Sequence, residues 1–445
     1  MLKCRGKITL TSIFLKELSM KIKVTDKSYD EILNIKHKKH KRPLRPNMFW
    51  RFLMRFVSSF DLKKTNFKFE RVGMEKLAKD EPALVLMNHS SFIDLEILAS
   101  ILYPRPFNIV TTTDAFVGKD WLLRQIGCIP TKKFIHDPSL LRDMMHCIRK
   151  LRSSVVLFPE ASYSFDGTAT PLPDTVGKFI KMLGAPVVMI RTYGAFARDP
   201  LYNNIQVRKV DVSATETYLL SPGEISNMTP EEINEVLREQ FSFDNFKWQQ
   251  ENNIRITEPT RADYLNRVLY KCPVCKAEGV MEGKGTEIVC KKCGKVHILD
   301  EYGYLTSPDN NPSFTHIPDW YAWERECVRE ELLRGEYLLD TEVDIFMTVD
   351  TKKLYRVAEG RLIHDKDGVR IASNDGKINF EHKSLSSYSL YSDFNWYEVG
   401  DMISVGDLDK IFYCFPKNKK DVVAKARLAA EEQYKILINE KRSQI

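Results

Sequence analysis

Short apolar runs alternate with amphipathic stretches between residues 61 and 255. The apolar runs are rich in β-branched residues, which is typical of buried strands, and the stretches between them repeat apolar residues with helical spacing. Strands that alternate with helices predict an α/β domain with a mostly parallel sheet covered by helices on both faces. The predicted strands are ALVLM, FNIVTT, SSVVLFP, PVVMIRTYG and NIQVRKVDVS.

The pattern changes to a period of two from about residue 340, after a helical stretch over residues 318–334. Runs such as VDIFMTV, GVRIAS and KIFYCF predict short antiparallel strands, and a last helix is expected from about residue 421 to 442. Residues 335–445 are therefore predicted to form a small β-rich domain with a closing helix. The pattern resembles, without being specific to, a pleckstrin-homology-like domain.

The first 60 residues form a basic leader that closes with PNMFWRFLMRFVSSF. On a helix, one stripe of this segment holds Arg51, Arg55, Ser58 and Ser59, and mostly aromatic residues cover the remainder. Such a helix can lie in a bilayer interface with its arginines toward anionic head groups, or it can pack on the next domain. The neighbouring basic residues favour the membrane surface, and both interpretations stay open.

Charge is concentrated in this leader. It carries 15 Lys and Arg against 4 Asp and Glu, a local charge of +11 in a 445-residue chain whose total is +7. This predicts an anionic partner, either membrane lipid or nucleic acid, although a solvated basic tail is the plain alternative. Nucleic acid is disfavoured because the leader's aromatic residues share one apolar face instead of alternating with basic ones. No apolar run approaches the roughly 18 residues of a membrane-spanning helix.

Two Cys-x-x-Cys pairs lie within residues 265–300, and the other five of the nine cysteines are scattered. Each pair can form a tight knuckle, and the hairpin between the pairs brings the four thiolates together, which predicts a zinc ribbon. Four thiolates leave no position for water, so the zinc is expected to be structural. Free thiols or a redox pair are the alternative. The predicted ligands are Cys272, Cys275, Cys290 and Cys293.

One polar turn interrupts the apolar pattern at VLMNHSSFIDLEIL, residues 85–98. Asp94 can cap the start of a helix together with Ser91, which leaves His89 as an ordinary turn residue. Alternatively, the carboxyl end of a parallel strand is where open α/β sheets carry active sites. Asp94 would then orient the imidazole of His89 as a general base. The motif alone does not decide between these interpretations.

Three further blocks follow this motif in order. Residues 88–94 read NHSSFID, residues 127–133 GCIPTKK, residues 158–164 FPEASYS and residues 185–188 APVV. Together they resemble the glycerolipid acyltransferase family typified by 1-acylglycerol-3-phosphate acyltransferase, over roughly residues 45–250. The first block matches the pattern Asn-His-x-x-x-x-Asp of that family, and the third resembles Phe-Pro-Glu-Gly-Thr-Arg-Ser. The resemblance implies an acyltransferase fold for residues 61–255.

The second and third blocks depart from the family pattern. Lys133 stands where the family has an arginine, and Ala161, Ser162 and Tyr163 stand where it has Gly-Thr-Arg. Both arginines are linked in the family to the acceptor's phosphate, and a lysine lacks the bidentate fork of a guanidinium. The acyl-transfer chemistry is thus expected to persist, whereas the acceptor is open. The expected substrate-binding residues are Asn88, Lys132, Lys133, Glu160, Ser162 and Arg191, with Lys178 as a further phosphate contact.

The resemblance implies direct transfer from acyl-CoA or acyl carrier protein to a lyso-glycerophospholipid, most simply 1-acylglycerol-3-phosphate. His89 would be the general base, Asp94 would orient it, and Glu160 would organise the acceptor site or pair with a lysine. The implied location is cytoplasmic, peripheral on the inner face of a membrane rich in anionic lipid. The alternatives are a different lyso-lipid acceptor, or a non-catalytic lipid- or nucleic-acid-binding scaffold with a zinc ribbon.

Overall fold

The computed structural model describes residues 22–35 and 40–443, so predictions for residues 1–21 and 36–39 of the basic leader lie outside the described residues. The described part of the leader does not form a unit of its own. Its strand β1 (Val24–Asp26) pairs in parallel with a strand of the carboxyl-terminal domain, and helix α1 (Tyr29–Leu33) follows with a capping box at Ser28. Helix α2 (Met48–Lys64) then packs on the central domain.

The predicted amphipathic helix α2 contacts the central domain through its arginines. Arg51 and Arg55 donate hydrogen bonds to backbone carbonyls near the end of the helix that follows His89, and Arg55 is nevertheless exposed to solvent. The helix therefore packs on the next domain, as one of the two interpretations expects, and its membrane-surface role stays a prediction. The outward stripe is aromatic, with exposed fractions of 62%, 54%, 49% and 42% at Phe49, Phe52, Phe56 and Phe60.

The central domain contains a seven-stranded sheet in the order β2-β8-β7-β3-β6-β4-β5. All neighbouring strands run parallel except β7 and β8, which confirms the mostly parallel sheet. The strands are β2 (Lys68–Val72), β3 (Leu84–Met87), β4 (Phe107–Thr112), β5 (Cys128–Thr131), β6 (Ser154–Leu157), β7 (Val187–Tyr193) and β8 (Ser213–Leu220). The helices are α3 (Asp94–Leu102), α4 (Asp120–Gln125), α5 (Pro138–Arg149), α6 (Thr175–Leu183), α7 (Ala195–Arg198), α8 (Pro222–Asn227), α9 (Pro230–Phe241) and α10 (Asn245–Glu251).

Helices cover both faces of this sheet, as the continuous apolar strands predict. In β3, Val85 and Met87 belong to the core beneath α2 and α3, whereas Leu84 and Leu86 belong to the core beneath α5, α6 and α9. The strand predicted at residues 204–213 is wrong, because β8 begins only at Ser213. In the preceding segment the backbone N–H of Arg208 donates to the carbonyl of Arg198, which is a loop contact and not a sheet contact.

The cysteine module forms a four-stranded antiparallel sheet in the order β12-β11-β10-β9. Its strands are β9 (Met281–Lys284), β10 (Glu287–Cys290), β11 (Val296–Leu299) and β12 (Leu305–Thr306), and helix α11 (Ile317–Leu333) leads on to the last domain.

An eight-stranded sheet and a closing helix confirm the predicted β-rich domain. Its order is β16-β15-β14-β13-β19-β18-β17, with β1 added beside β14. The strands are β13 (Leu339–Met347), β14 (Leu354–Asp365), β15 (Gly368–Ser373), β16 (Asn379–Lys383), β17 (Tyr391–Trp396), β18 (Gly400–Gly406) and β19 (Ile411–Pro416), and the helix is α12 (Val422–Ser443). Over the described ranges, no helix combines the length and apolar character needed to cross a bilayer.

Close packing of α6 on α9 depends on Gly177. A Cβ added there would lie 2.1 Å from the carbonyl oxygen of Pro230 and 2.8 Å from Oδ1 of Asn234. We therefore expect Gly177→Ala to lower the free energy of unfolding by about 1–3 kcal/mol, measured by urea denaturation. Gly223 in α8 is the control, since its nearest neighbour would be Ser221 Oγ at 3.9 Å. Alanine there is expected to be neutral or stabilising by up to about 1 kcal/mol, and equal losses at both positions would contradict the close contact.

Candidate active site

Two polar turns meet at one edge of the central sheet. Strand β3 pairs in parallel with both β6 and β7, so the carboxyl ends of the three strands lie side by side. His89 follows β3, and the loop of residues 158–170, here called the 158–170 loop, follows β6. The edge is the one at which open α/β sheets carry ligand sites.

The imidazole of His89 is held by Asp94. Nδ1 of His89 lies 2.9 Å from Oδ2 of Asp94, which also accepts hydrogen bonds from the backbone N–H groups of Ser90 (3.1 Å) and Ser91 (3.3 Å). Asp94 is at the first turn of α3, so one carboxylate oxygen both braces the turn and orients the histidine. With Nδ1 engaged, Nε2 is the ring nitrogen left for chemistry.

The capping box considered for Ser91 and Asp94 is only half formed. Asp94 reaches back to the N–H of Ser91, but the residue that caps α3 is Ile93, which has no capping side chain. The hydroxyl of Ser91 instead donates to the buried carboxyl of Asp199. The helix start therefore uses Asp94 for two purposes at once, and the two interpretations of this motif are compatible.

Aromatic rings cover both faces of the imidazole. The rings of Phe158 and Tyr163 stack on His89 with centroid distances of 4.2 and 3.8 Å, and two rings so close cannot share one face. Phe92 stacks in turn on Tyr163 at 5.2 Å and is half exposed. The side chain of His89 is left 15% exposed.

Burial sets the protonation of this pair. Burial, and next the positive charge of Lys133, hold the pKa of His89 well below its ordinary value. Burial also raises the pKa of Asp94 to about 8, against the lowering effect of the Ser91 and Ser90 N–H groups. Burial disfavours the imidazolium, so the imidazole is neutral near pH 7, while the N–H groups of Ser90 and Ser91 that donate to Oδ2 favour the ionised form of Asp94. Neutral imidazole is the form that a general base requires.

Glu160 connects the 158–170 loop to His89 through backbone groups. Its Oε2 accepts from the N–H of His89 at 2.9 Å, and its Oε1 accepts from the N–H of Thr170 at 2.8 Å. The side chain is 3% exposed, and burial raises its pKa to about 7. These contacts brace the loop, whereas the lysine partner considered from the sequence is not among its contacts in the described residues.

Two other predicted residues lie in the same cluster with internal partners. The amide of Asn88 accepts from the N–H of Thr192 on β7 at 2.9 Å and donates to Ser90 Oγ at 2.9 Å, which ties β3 to β7. The hydroxyl of Ser162 lies 3.5 Å from the carbonyl of Glu160 and is buried.

The two lysines of the second block face the β-rich domain. Lys132 donates to the carbonyl of Leu408. The ammonium of Lys133 lies 4.3 Å from the centre of the Tyr391 ring. Burial lowers the pKa of Lys133, and the charges of Asp393 and Asp114 oppose that shift. An anion that bound Lys133 would therefore compete with two carboxyl groups.

Arg191 and Lys178 are separate from this cluster. The guanidinium of Arg191 donates to the carbonyl of Gln240 near the end of α9. Lys178 is exposed on α6. The structure therefore brings together His89, Asp94, Asn88, Glu160, Ser162 and Lys133 and leaves these two cations outside.

Residues of the β-rich domain cover this edge of the sheet. The sequence did not indicate that they belong to the site. The hydroxyls of Tyr391 and Tyr397 each lie 3.3 Å from Asp114 Oδ2, and the hydroxyl of Tyr388 lies 3.5 Å from the carbonyl of Pro159. Arg427 of α12 donates to the carbonyl of Tyr163 at 3.1 Å. No short-range signal could have revealed contacts across more than 200 residues of chain.

The four predicted cysteine ligands converge. Their sulfur atoms all lie within 4.8 Å of one another, and the Sγ–Sγ distances are 3.7 Å for Cys272–Cys293 and for Cys275–Cys290. A tetrahedral site with Zn–S bonds of about 2.3 Å requires sulfurs about 3.8 Å apart, so the cluster fits a metal ion of this kind.

Comparison with known proteins agrees with the resemblance seen in the motifs. Residues 68–192 match the acyltransferase family model. The chain is 29% identical over 147 residues to the chloroplastic 1-acyl-sn-glycerol-3-phosphate acyltransferase BAT2 of Brassica napus, covering 31% of this chain and 40% of that protein. It is 33% identical over 117 residues to the chloroplastic 1-acyl-sn-glycerol-3-phosphate acyltransferase LPAT1 of Arabidopsis thaliana, covering 25% of this chain and 31% of that protein.

A solved structure, the 1-acyl-sn-glycerophosphate acyltransferase PlsC of Thermotoga maritima, is similar with a TM-score of 0.37 and 16% identity. That similarity covers 46% of this chain and 80% of the other. The chain thus spans less than half the length of the two plant relatives, and the segment that matches the family model contains all four motif blocks.

Proposed function

We propose that the protein transfers a fatty acyl group from acyl-CoA or acyl carrier protein to 1-acylglycerol-3-phosphate, giving phosphatidic acid, because residues 68–192 match the acyltransferase family model. The observation that carries the proposal is the 2.9 Å contact between Nδ1 of His89 and Asp94 at the carboxyl end of β3. A neutral, oriented imidazole with Nε2 unengaged by Asp94 suits a general base.

In this mechanism the acceptor hydroxyl donates its proton to Nε2 of His89 as its oxygen attacks the thioester carbonyl. The new C–O bond forms, the C–S bond breaks, and the departing thiolate takes the proton from the imidazolium. Asp94 stabilises the imidazolium while it exists. Phe158 and Tyr163 keep the ring in one plane, and Glu160 holds the loop that carries them.

His89→Ala is expected to lower the rate of acyl transfer at least about 10²-fold, because the proton acceptor is lost. Asp94→Asn is expected to lower it as well, because an amide no longer stabilises the imidazolium. The measurement is transfer of a labelled acyl chain from either donor to a panel of lyso-lipids on liposomes. His146→Ala, on α5, is the control and should keep wild-type activity. Full activity of His89→Ala, or no transfer under any condition, would contradict the proposal and favour a lipid-binding scaffold.

A different lyso-lipid acceptor is the second candidate within the same chemistry. The observation that favours it is the position of Lys133 beside Asp114 and Asp393, which compete with an acceptor phosphate for its charge. In the same panel, transfer to a neutral lyso-lipid but not to 1-acylglycerol-3-phosphate would support this acceptor class.

We further propose that the protein acts peripherally on the inner face of a membrane, with the aromatic stripe of α2 in the lipid interface. The stripe supports this because four phenylalanines on one helix face stay exposed. A fifth exposed ring, that of half-exposed Phe92, stacks on Tyr163, whose ring in turn stacks on His89. The basic leader adds attraction to anionic head groups.

Phe52→Ser combined with Phe56→Ser should weaken binding to phosphatidylcholine–phosphatidylglycerol vesicles at least about tenfold. Each ring that leaves water for the lipid interface contributes more than about 1 kcal/mol to the binding free energy. Vesicle flotation measures this. The control is Leu333→Ser with Leu338→Ser, two leucines that are 62% and 57% exposed outside the aromatic stripe. Equal weakening by both pairs would argue against a lipid-binding role specific to α2.

We also infer that Cys272, Cys275, Cys290 and Cys293 hold one structural zinc ion. The sulfur spacing supports this, and four thiolates leave no position for substrate or water. We expect one zinc per chain by elemental analysis. Cys290→Ser should lose the metal and lower the melting temperature, because metal binding contributes folding free energy. Cys327→Ser, which alters a cysteine of α11 outside the cluster, should keep it; a full complement of zinc in Cys290→Ser would refute the site.

A further inference from the structure

Helix α12 contacts the loop at the candidate active site through a buried arginine. Arg427 is 2% exposed, and its guanidinium carbon lies 3.4 Å from the centre of the Phe165 ring. Nη1 donates to the carbonyl of Tyr163 at 3.1 Å, while Nε and Nη2 donate to the hydroxyl and carbonyl of Ser392 at 3.1 and 2.8 Å. One side chain therefore joins α12, strand β17 and the 158–170 loop.

The part of the loop that Arg427 holds is the part that touches the histidine. Tyr163 stacks on the imidazole, and the N–H of Ser164 donates to the carbonyl of His89 at 3.3 Å. None of the contacts of Arg427 in the described residues involves His89 itself. Its influence on the imidazole must therefore pass through the loop, which makes it a positioning residue.

One turn of α12 next to Arg427 forms ion pairs with the cysteine module through Lys425. Lys425 donates to both carboxylate oxygens of Glu278 at 2.8 and 3.0 Å and pairs with Glu331 of α11 at 2.8 Å. Lys271 pairs with the same two carboxylates at 3.2 and 3.0 Å. The two lysine side chains are only 13% and 11% exposed, so this ring of four charges is poorly screened by solvent.

Two members of the ring of four charges belong to the first cysteine knuckle. Lys271 immediately precedes Cys272, and Glu278 follows Cys275. A metal that joins the four sulfurs would fix this knuckle and hence the positions of both side chains. The ring of four charges in turn fixes Lys425, which is two residues before Arg427.

We propose that α12 is a positioning element of the active site: Arg427 holds the 158–170 loop against His89, and the metal-loaded cysteine module sets the position of α12 through Lys425. The effect on catalysis rests on the proposed acyltransferase function, whereas the mechanical link from module to loop does not. In this proposal the cysteine module affects the candidate active site although none of its residues, all of which the structure describes, contacts His89.

The first test is hydrogen–deuterium exchange of the full-length, metal-loaded protein, read over residues 158–170. Arg427→Lys keeps the charge but lacks the fork that joins Tyr163 to Ser392, so exchange there should rise at least about tenfold. Exchange of strands β3, β4 and β6 should stay unchanged. Lys425→Met, at a less buried position, should cause a smaller rise in the same loop. Lys435→Met is the control on the same helix, because Lys435 pairs only with Glu432 among the described residues.

The second test is whether the metal and Lys425 act along one route. Chelation of the metal should raise exchange of residues 158–170 in the wild type and should add little in Lys425→Met, since effects that share one route are not additive. Equal rises in both backgrounds would overturn the route through Lys425. A 158–170 loop unchanged in Arg427→Lys and in Lys425→Met, with both variants folded, would overturn the proposal.

Activity supplies an independent readout. Arg427→Lys should lower kcat at least about tenfold with little change in KM for the acyl donor, because a displaced imidazole affects the chemical step more than donor binding. If the wild type transfers no acyl group, the proposed function fails while the exchange results still decide the positioning role. If the loop loosens in Arg427→Lys but kcat stays at the wild-type value, the loop does not position His89 and the proposal is wrong.

Discussion

Everything at the candidate active site depends on one hydrogen bond between a buried imidazole and a buried carboxyl. The oxygen of Asp94 that contacts His89 also receives the two N–H groups of the turn between β3 and α3. The backbone of the strand end and the orientation of the histidine are thus settled by the same atom. In a water-poor setting such bonds are stronger than in solvent, and their loss leaves a buried polar group without a partner.

Burial of the pair comes from loops and from a second domain, because a parallel sheet leaves its carboxyl edge open. Phe158 and Tyr163 cover the ring faces, Glu160 ties their loop back to His89, and Tyr388 and Arg427 cover that loop from outside. Each layer is fixed by hydrogen bonds to backbone carbonyls or N–H groups. Such contacts constrain the geometry of the backbone more than the identity of the side chains.

Sequence reasoning reached the features that depend on local spacing. The period of apolar residues indicated the parallel sheet and the β-rich domain, and the cysteine spacing indicated a four-sulfur cluster. It failed where two long-range arrangements share one local pattern. The arginine stripe of α2 could bind head groups or the protein, and its hydrogen bonds to carbonyl groups near the end of α3 depend on segments about 50 residues away in the chain. Similarly, nothing near residue 427 marks it as a neighbour of residue 163, since folding alone joins segments 264 residues apart.

The roof over the catalytic edge also bears on the acceptor. The cavity that Lys133 lines beneath Tyr391 has a volume of about 20 Å³, room for one water molecule. A neighbouring groove of about 260 Å³ lies between Phe134 and strand β16. A phosphate group is larger than one water molecule, so this cavity does not accommodate it beside Lys133 in the conformation described. Under the proposed function, contacts of the β-rich domain would therefore limit acceptor binding at Lys133 as much as the two motif lysines would favour it.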